Sequence, residues 1–402
     1  MGDFVDDRLI IMTDYQAPKG RVVQIDPDNP QPKKWIVIVP ESEDILENIY
    51  FIGGKIVAKY MHNCSSTLKI FDISGKLLHD LLLPTLGTVN YLHGSWEDED
   101  FYFQFESFLW PFTVLKSNVK TAQIEEIYQT ESSVNADDYA INQIWYESKD
   151  GTSIPMFILK GKNIELSSTT PVYLSGYGGF NASLLPSFKP EWKVWLDNDG
   201  IIVIANLRGG GEFGKEWHEA GRKAKKQNVF DDFIAAAEWL IDQKYTDQHH
   251  LVIAGGSNGG LLVGAALTQR PELFKAVICS VPLLDMLRYN KFLIARLWSQ
   301  EYGDPDDVEA FKYLYAYSPY HNVSTNESYP AVYFKTAESD SRVHPLHAMK
   351  MTAKFQDIEN NNPTLFRIET KTGHGVGKPV TKIVEETAEW LTFALWQVGK
   401  IE

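Results

Sequence analysis

Two fold classes are predicted along this chain. Residues 141–402 predict an α/β fold, a mostly parallel sheet with helices on both faces, and residues 1–140 an incomplete all-β array. Three observations carry this. Before residue 140 the apolar runs are β-branched or aromatic, bounded by turn residues, with no helical period. After it, strand runs alternate with helical patterns, as in a parallel sheet. Third, His250 to Thr268 reads as strand, sharp turn and helix around Gly255-Gly-Ser-Asn-Gly259, a G-x-S-x-G.

In the first part, strands are expected at Arg21–Ile25, Lys34–Val39, Lys55–Tyr60 and Phe101–Phe105. Arg21-Val-Val-Gln-Ile-Asp-Pro-Asp28 resembles Leu68-Lys-Ile-Phe-Asp-Ile-Ser-Gly75, and Phe112–Asn118 holds the same place in a third unit. The period of about 45 residues is that of a four-stranded propeller blade, so this part should hold roughly three. Short, evenly spaced strands also fit an antiparallel sandwich. The polar stretch Ser132–Asp138 reads as a linker.

The second part opens with a hairpin, Ile141–Glu147 and Ile154–Leu159, turning at Asp150-Gly151. Strands follow at Val172–Leu174, Ile201–Ala205, Leu251–Ala254, Ala276–Cys279, Ala331–Thr336 and Leu365–Glu369, of which Ile201–Ala205 and Leu251–Ala254 read as buried. Helices are expected at Phe233–Ile241, opened by Asp231 and Asp232 at the positive end of its dipole. Another covers Ile383–Val398, with Val384, Thr387, Ala388 and Leu391 on its apolar face.

A net charge of −15 opposes binding to nucleic acid or to an anionic membrane surface. No apolar run is long enough to span a bilayer, and the acidic start carries no signal core. Cys64 and Cys279 read as free thiols in a reducing, cytoplasmic setting. Gly209-Gly-Gly-Glu-Phe-Gly214 follows a strand and matches a dinucleotide-loop pattern. The acids about 20 residues on, Asp231 and Asp232, open a helix instead of ending a strand, so nucleotide binding is not expected. No cofactor or metal is implied.

The chemistry gathers where strands end. Ser257, Asp340 and His374 each follow the carboxyl end of a strand, where open α/β sheets collect catalytic groups. Their chain order is that of the α/β-hydrolase fold. Serine needs a base to take its proton, histidine can be that base, and a carboxylate behind it sets the tautomer. Asp340 is not the sole acid available, since Glu338 and Glu369 lie near the same strand ends.

With those residues in view, residues 140–402 closely resemble the catalytic domain of the prolyl oligopeptidase family. The resemblance rests on Ser148–Phe157, Gly176-Tyr-Gly-Gly-Phe180, Asn206–Gly214, Gly255–Leu262, Asp285-Met286, Tyr317–Asn322 and Thr370–Pro379. Residues 1–140 look like the last blades of the family's propeller. The resemblance implies a serine endopeptidase that cleaves short peptides after proline. It implies Ser257 as nucleophile, Asp340 as orienting acid and His374 as base. Tyr177 and the backbone N–H of Asn258 would form the oxyanion hole. Arg342 would hold a substrate carbonyl, Trp298 would stack on the proline ring, and Phe180, Tyr302 and Val343 would close the pocket. The sequence departs from the family at Ser341, where a second Asp is frequent, and at Leu283, often valine. It also holds about three blades in place of seven and lacks the family's N-terminal segment. A fragment is therefore expected, or a partner chain that completes the propeller. The alternatives are a related peptidase or esterase of other specificity, with Glu301 placed to favour a basic residue, and a non-catalytic truncated interaction protein.

Overall fold

The structure is a computed structural model. It describes residues 2–5, 7–358, 360–370, 372–375 and 377–402. Met1 and Asp6 of the acidic start, and Lys371 and Val376 of the Thr370–Pro379 motif, lie outside them. The chain folds as two compact units. One is the chain up to Ala136 with Leu185–Pro190 and Glu212–Glu216. The other is Asp137–Leu184, Glu191–Gly211 and Trp217–Glu402.

The first unit holds three four-stranded antiparallel sheets, each laid down in sequence order. They are β1–β4 (Gly2–Val5, Arg8–Thr13, Arg21–Ile25, Ile36–Val39), β5–β8 (Ile45–Ile52, Lys55–His62, Ser65–Asp72, Leu77–Leu81) and β9–β12 (Thr88–Gly94, Asp100–Glu106, Thr113–Asn118, Ile124–Gln129). The three repeat segments fall on β3, β7 and β11, the third strand of each sheet. Each sheet is a four-stranded meander, the form of a propeller blade. Neighbouring sheets pack face to face. Val22, Ile49, Ile56 and Phe71 form one core, and Ile52, Leu68, Phe101, Phe103 and Phe105 the next. The period-2 alternation of the three phenylalanines puts every ring inside, each worth roughly 2–3 kcal/mol of burial. The strand expected from Lys34 begins only at Ile36, because Pro32–Lys34 makes a helical turn.

The second unit is built on an eight-stranded sheet. Its strands are β13 (Tyr139–Glu147), β14 (Ser153–Gly161), β15 (Val172–Gly176), β16 (Ile201–Ala205), β17 (Leu251–Gly256), β18 (Ala276–Ser280), β19 (Ala331–Ala337) and β20 (Thr364–Glu369). They are ordered β13-β14-β16-β15-β17-β18-β19-β20. The β13–β14 hairpin and the β14–β16 pair are antiparallel; from β16 to β20 every pair is parallel. Helices pack on the sheet. They include α1 (Gln227–Asp242), α2 (Asn258–Gln269), the short α3 (Ser299–Tyr302), α4 (Leu346–Asp357) and α5 (Val380–Gln397). The central strands read as apolar runs because they are covered; all five residues of β16 are buried. The chain runs from β15 to one side, at β16, and from β17 to the other, at β18. The sheet therefore has a switch point between β15 and β17, where a crevice opens for ligands.

Two sequence expectations fail here. Helix α1 starts at Gln227, so Asp231 and Asp232 sit inside it and not at its opening. Asp232 is fully buried and accepts from the Arg208 guanidinium (Nη2–Oδ1 2.6 Å) and from Ser148 Oγ. It answers a charge on the loop after β16, not a helix dipole. On α5, Val384 is 60% exposed and Ala388 is also exposed; the inward face is Leu391, Phe393, Ala394 and Leu395. A stripe read from spacing alone gives the period of the helix but not which side meets the sheet.

Candidate active site

The corner after β17 is strained, as the G-x-S-x-G pattern demands. Ser257 has φ 60° and ψ −118°, outside the regions ordinary residues favour. The turn closes only because its neighbours lack side chains. A Cβ on Gly255 would lie 2.1 Å from the carbonyl oxygen of Gly259, and one on Gly260 would lie 2.6 Å from Pro282. Buried β17 on one side and buried α2 on the other hold the corner. Residues Leu251–Ala254 are buried, and a large aliphatic side chain there contributes about 1.5–3 kcal/mol.

Three strand-end residues meet at this corner. His374 Nε2 lies 3.1 Å from Ser257 Oγ, and His374 Nδ1 lies 2.5 Å from Asp340 Oδ2. The other Asp340 oxygen accepts the backbone N–H groups of Arg342 and Val343, both at 2.9 Å. This carboxylate is buried, held on both oxygens and aimed at the imidazole. The two rival acids are placed elsewhere. Glu338 is exposed. Glu369 is bound by Lys382 and by Arg367 (Nη2–Oε2 2.6 Å), and these hydrogen bonds pull its carboxyl down to about 2.

Across the switch point, Tyr177 follows β15. Burial raises its hydroxyl above the ordinary tyrosine value, and a hydrogen bond to Ser257 only partly opposes this. The phenol therefore keeps its proton at neutral pH and can donate. Asn258 is the first residue of α2, where backbone N–H groups have no partner within the helix. Both residues therefore adjoin Ser257, Tyr177 through its hydroxyl and Asn258 as the next residue of the chain. The Asn258 side chain is also engaged. Its Nδ2 donates to the Tyr177 carbonyl at 2.5 Å, and its Oδ1 accepts from the Tyr302 hydroxyl at 2.8 Å.

The residues expected to hold proline cluster beside this corner, though not all on its surface. Phe180 is exposed and meets Trp298 edge-on at 6.0 Å between ring centres. Trp298 is half-buried and Arg342 exposed. Val343 is buried. Tyr302 has no exposed surface; it sits edge-on to Phe180 at 5.5 Å and supports that ring from beneath. Glu301 is turned inward. It is buried and accepts the Phe180 N–H, with His218 and Lys226 beside it. Among the described residues no group of three His, Cys, Asp or Glu is placed to hold a metal ion. An apolar cavity of about 520 Å³ lies far from this chemistry, lined by Tyr333, Leu365, Phe393 and Trp396.

Comparison with known proteins places the chain. The model of the prolyl oligopeptidase family matches residues 186–400, and that of the prolyl oligopeptidase N-terminal β-propeller matches residues 3–130. This chain belongs to the prolyl oligopeptidase family. It is 40% identical over 401 residues to a prolyl endopeptidase of Elizabethkingia meningoseptica, covering 99% of this chain and 57% of the relative. A prolyl oligopeptidase A of Amanita bisporigera is 36% identical, over 97% of this chain and 52% of its own length. A solved structure from a study of two prolyl endopeptidases superposes with a TM-score of 0.94 at 42% identity, covering 100% of this chain and 60% of that one. A post-proline cleaving enzyme from Rickettsia typhi gives 0.87 at 30% identity, over 100% and 60%. This family member thus spans a little over half the length of the curated relatives it matches.

Several residues of the site escape a reading of the sequence. Lys226 lies in the basic run Arg222–Lys226, yet it is fully buried. Glu301 and His218 carry no motif. Arg208 sits within a glycine-rich stretch and makes a buried pair with Asp232 and an ion pair with Asp150, which falls to about 2 through that hydrogen bond. No local signal gives these partners, because each pair joins residues from different elements.

Proposed function

We propose that this chain carries the catalytic machinery of a serine peptidase that cleaves short peptides on the carboxyl side of proline. The observation that carries the proposal is the unbroken hydrogen-bonded line from Asp340 through His374 to Ser257 at the strained corner. His374 Nε2 takes the Ser257 proton while Oγ bonds to the scissile carbonyl carbon. The oxygen becomes an anion held by the Tyr177 hydroxyl and the Asn258 N–H, each donor worth on the order of 3 kcal/mol. The C–N bond then breaks, the imidazolium protonates the leaving amine, and an acyl-enzyme is left on Ser257. Water repeats the sequence with His374 as base and restores the serine. Asp340 stabilises the imidazolium without taking its proton.

Specificity for proline is supported by Trp298 and Phe180, which offer apolar ring surface beside the corner, with Arg342 exposed and able to hold a substrate carbonyl. The engagement of Glu301 with Phe180, His218 and Lys226 speaks against recognition of a basic residue there. Two buried free cysteines suit a reducing compartment, and we place the protein in the cytoplasm. The test is labelling by a fluorophosphonate, together with cleavage of two peptides differing only in proline or arginine before the scissile bond. Ser257→Ala should abolish labelling with the fold intact. Labelling that persists would remove Ser257 from its role, and faster cleavage after arginine would overturn the specificity.

A further inference from the structure

Behind the site, Glu301 and Lys226 reach one loop from separate parts of the chain, and His218 meets Glu301. The segment Tyr177–Asn181 leaves β15 in an unusual backbone conformation, with φ of +62° at Gly178, +59° at Phe180 and +55° at Asn181. Left-handed geometry at two non-glycine residues is costly and must be held from outside. Glu301 Oε1 accepts the Phe180 N–H at 2.9 Å. Lys226 Nζ donates to the Gly178 carbonyl at 2.8 Å and lies 3.7 Å from Glu301 Oε1. The second Glu301 oxygen meets His218 Nε2 at 2.8 Å. The Glu301 and Lys226 side chains are 5% and 1% exposed, so neither interaction is a surface pair. Burying such charges costs more than an apolar replacement would, so their presence calls for a positional reason.

We propose that the Glu301–Lys226–His218 cluster is a positioning device that clamps the Tyr177–Asn181 loop, setting the oxyanion donor and the proline-facing ring together. The inference rests on the Ser257 chemistry proposed above. The loop is gripped on two sides by consecutive residues of α3. Glu301 holds Phe180 by its amide. Tyr302 holds Asn258, which in turn holds the Tyr177 carbonyl. Trp298 precedes the same short helix, so a shift of α3 moves the stacking surface and the oxyanion donor as one body. Burial lowers the Lys226 ammonium to about 8, with Glu301 opposing the fall, so the cation that grips Gly178 depends on its neighbour.

The experiment measures kcat and KM on a proline peptide for Glu301→Ala and Glu301→Gln, each with Tyr177 intact and with Tyr177→Phe. Backbone hydrogen exchange of residues 177–181 is measured in parallel. Removing an oxyanion donor outright costs about 10²–10³ in kcat. Displacing one should cost about 10- to 100-fold in Glu301→Ala. Glu301→Gln, which keeps an acceptor for Phe180, should recover part of it. In the Tyr177→Phe background the loss should shrink to about 3-fold or less, because the donor being positioned is gone. Exchange at 177–181 should rise about tenfold. Equal losses in both backgrounds, or unchanged exchange, would overturn the proposal. If Glu301→Ala does not fold, His218→Gln, at a partly exposed position, is read the same way and decides by the same criteria. Absence of turnover in the unmutated chain would be a failure of the Ser257 reading; the exchange measurement then decides this one alone.

Discussion

The Asp340→Asn substitution tests the site most sharply, because the hydrogen bonds around that carboxylate dictate how an amide would sit. In the native site Oδ1 accepts two backbone N–H groups, from Arg342 and Val343, while Oδ2 faces His374 Nδ1. An asparagine must keep its carbonyl oxygen toward the two N–H donors, since turning its NH2 there would set donor against donor. Its NH2 then points at His374 and donates to Nδ1. That forces the proton to Nε2, which now faces Ser257 as a donor and cannot take the serine proton. The fold is undisturbed, as the substitution is isosteric in a buried slot. The comparable change in another serine protease lowers turnover by about 10⁴, equivalent to about 5 kcal/mol of transition-state stabilisation. The assay is kcat on a proline peptide together with the rate of fluorophosphonate labelling, with the thermal midpoint as a control for folding. Glu338→Gln, at an exposed residue, should leave turnover within about twofold. A loss under about tenfold in Asp340→Asn, or a large loss in Glu338→Gln, would refute the assignment.

Other outcomes follow from the same geometry. Trp298→Ala should reduce proline-peptide turnover by roughly 10- to 200-fold, and by less for a peptide with alanine before the scissile bond; equal losses on both would deny the stacking role. Asp232→Ala should leave the buried Arg208 without its main partner and cost about 3–5 kcal/mol in urea unfolding, where a loss under about 1 kcal/mol would show the pair to be unimportant. His347 is buried, and its Nδ1 accepts the backbone N–H groups of Leu284 and Asp285. Burial lowers it from 6.5 to about 4, with Asp285 opposing. Between those values the unfolded chain binds a proton that the native one refuses. Stability should therefore fall as pH drops from about 6.5 toward 4, by up to about 3 kcal/mol from this group. His347→Gln, which keeps an acceptor, should flatten that part of the urea-midpoint profile, and an unchanged slope would reject the cause.

The one-dimensional pattern marked part of the elements and their order, but not β1, β2, β5, β8, β9, β12, α3 or α4. β-branched and aromatic runs with turn residues placed β3, β4, β6 and β10, and the repeat at Arg21, Leu68 and Phe112 marked the same strand of three sheets. The glycines around Ser257 announced a strained corner, because only missing side chains let such a turn close. The order of Ser257, Asp340 and His374 at strand ends was legible for the same local reason. What needed the tertiary structure was every choice between equivalents. Asp340, Glu338 and Glu369 are alike by position, and they separate only because Lys382 and Arg367 claim Glu369 while Glu338 faces solvent. The inward face of α5, the burial of Lys226 in a basic run and the place of Asp232 inside α1 were undecided likewise. Spacing along a chain fixes which residues share a face. Which face is buried, and which charge meets which, depends on the element packed against it, brought there by contacts far apart in sequence.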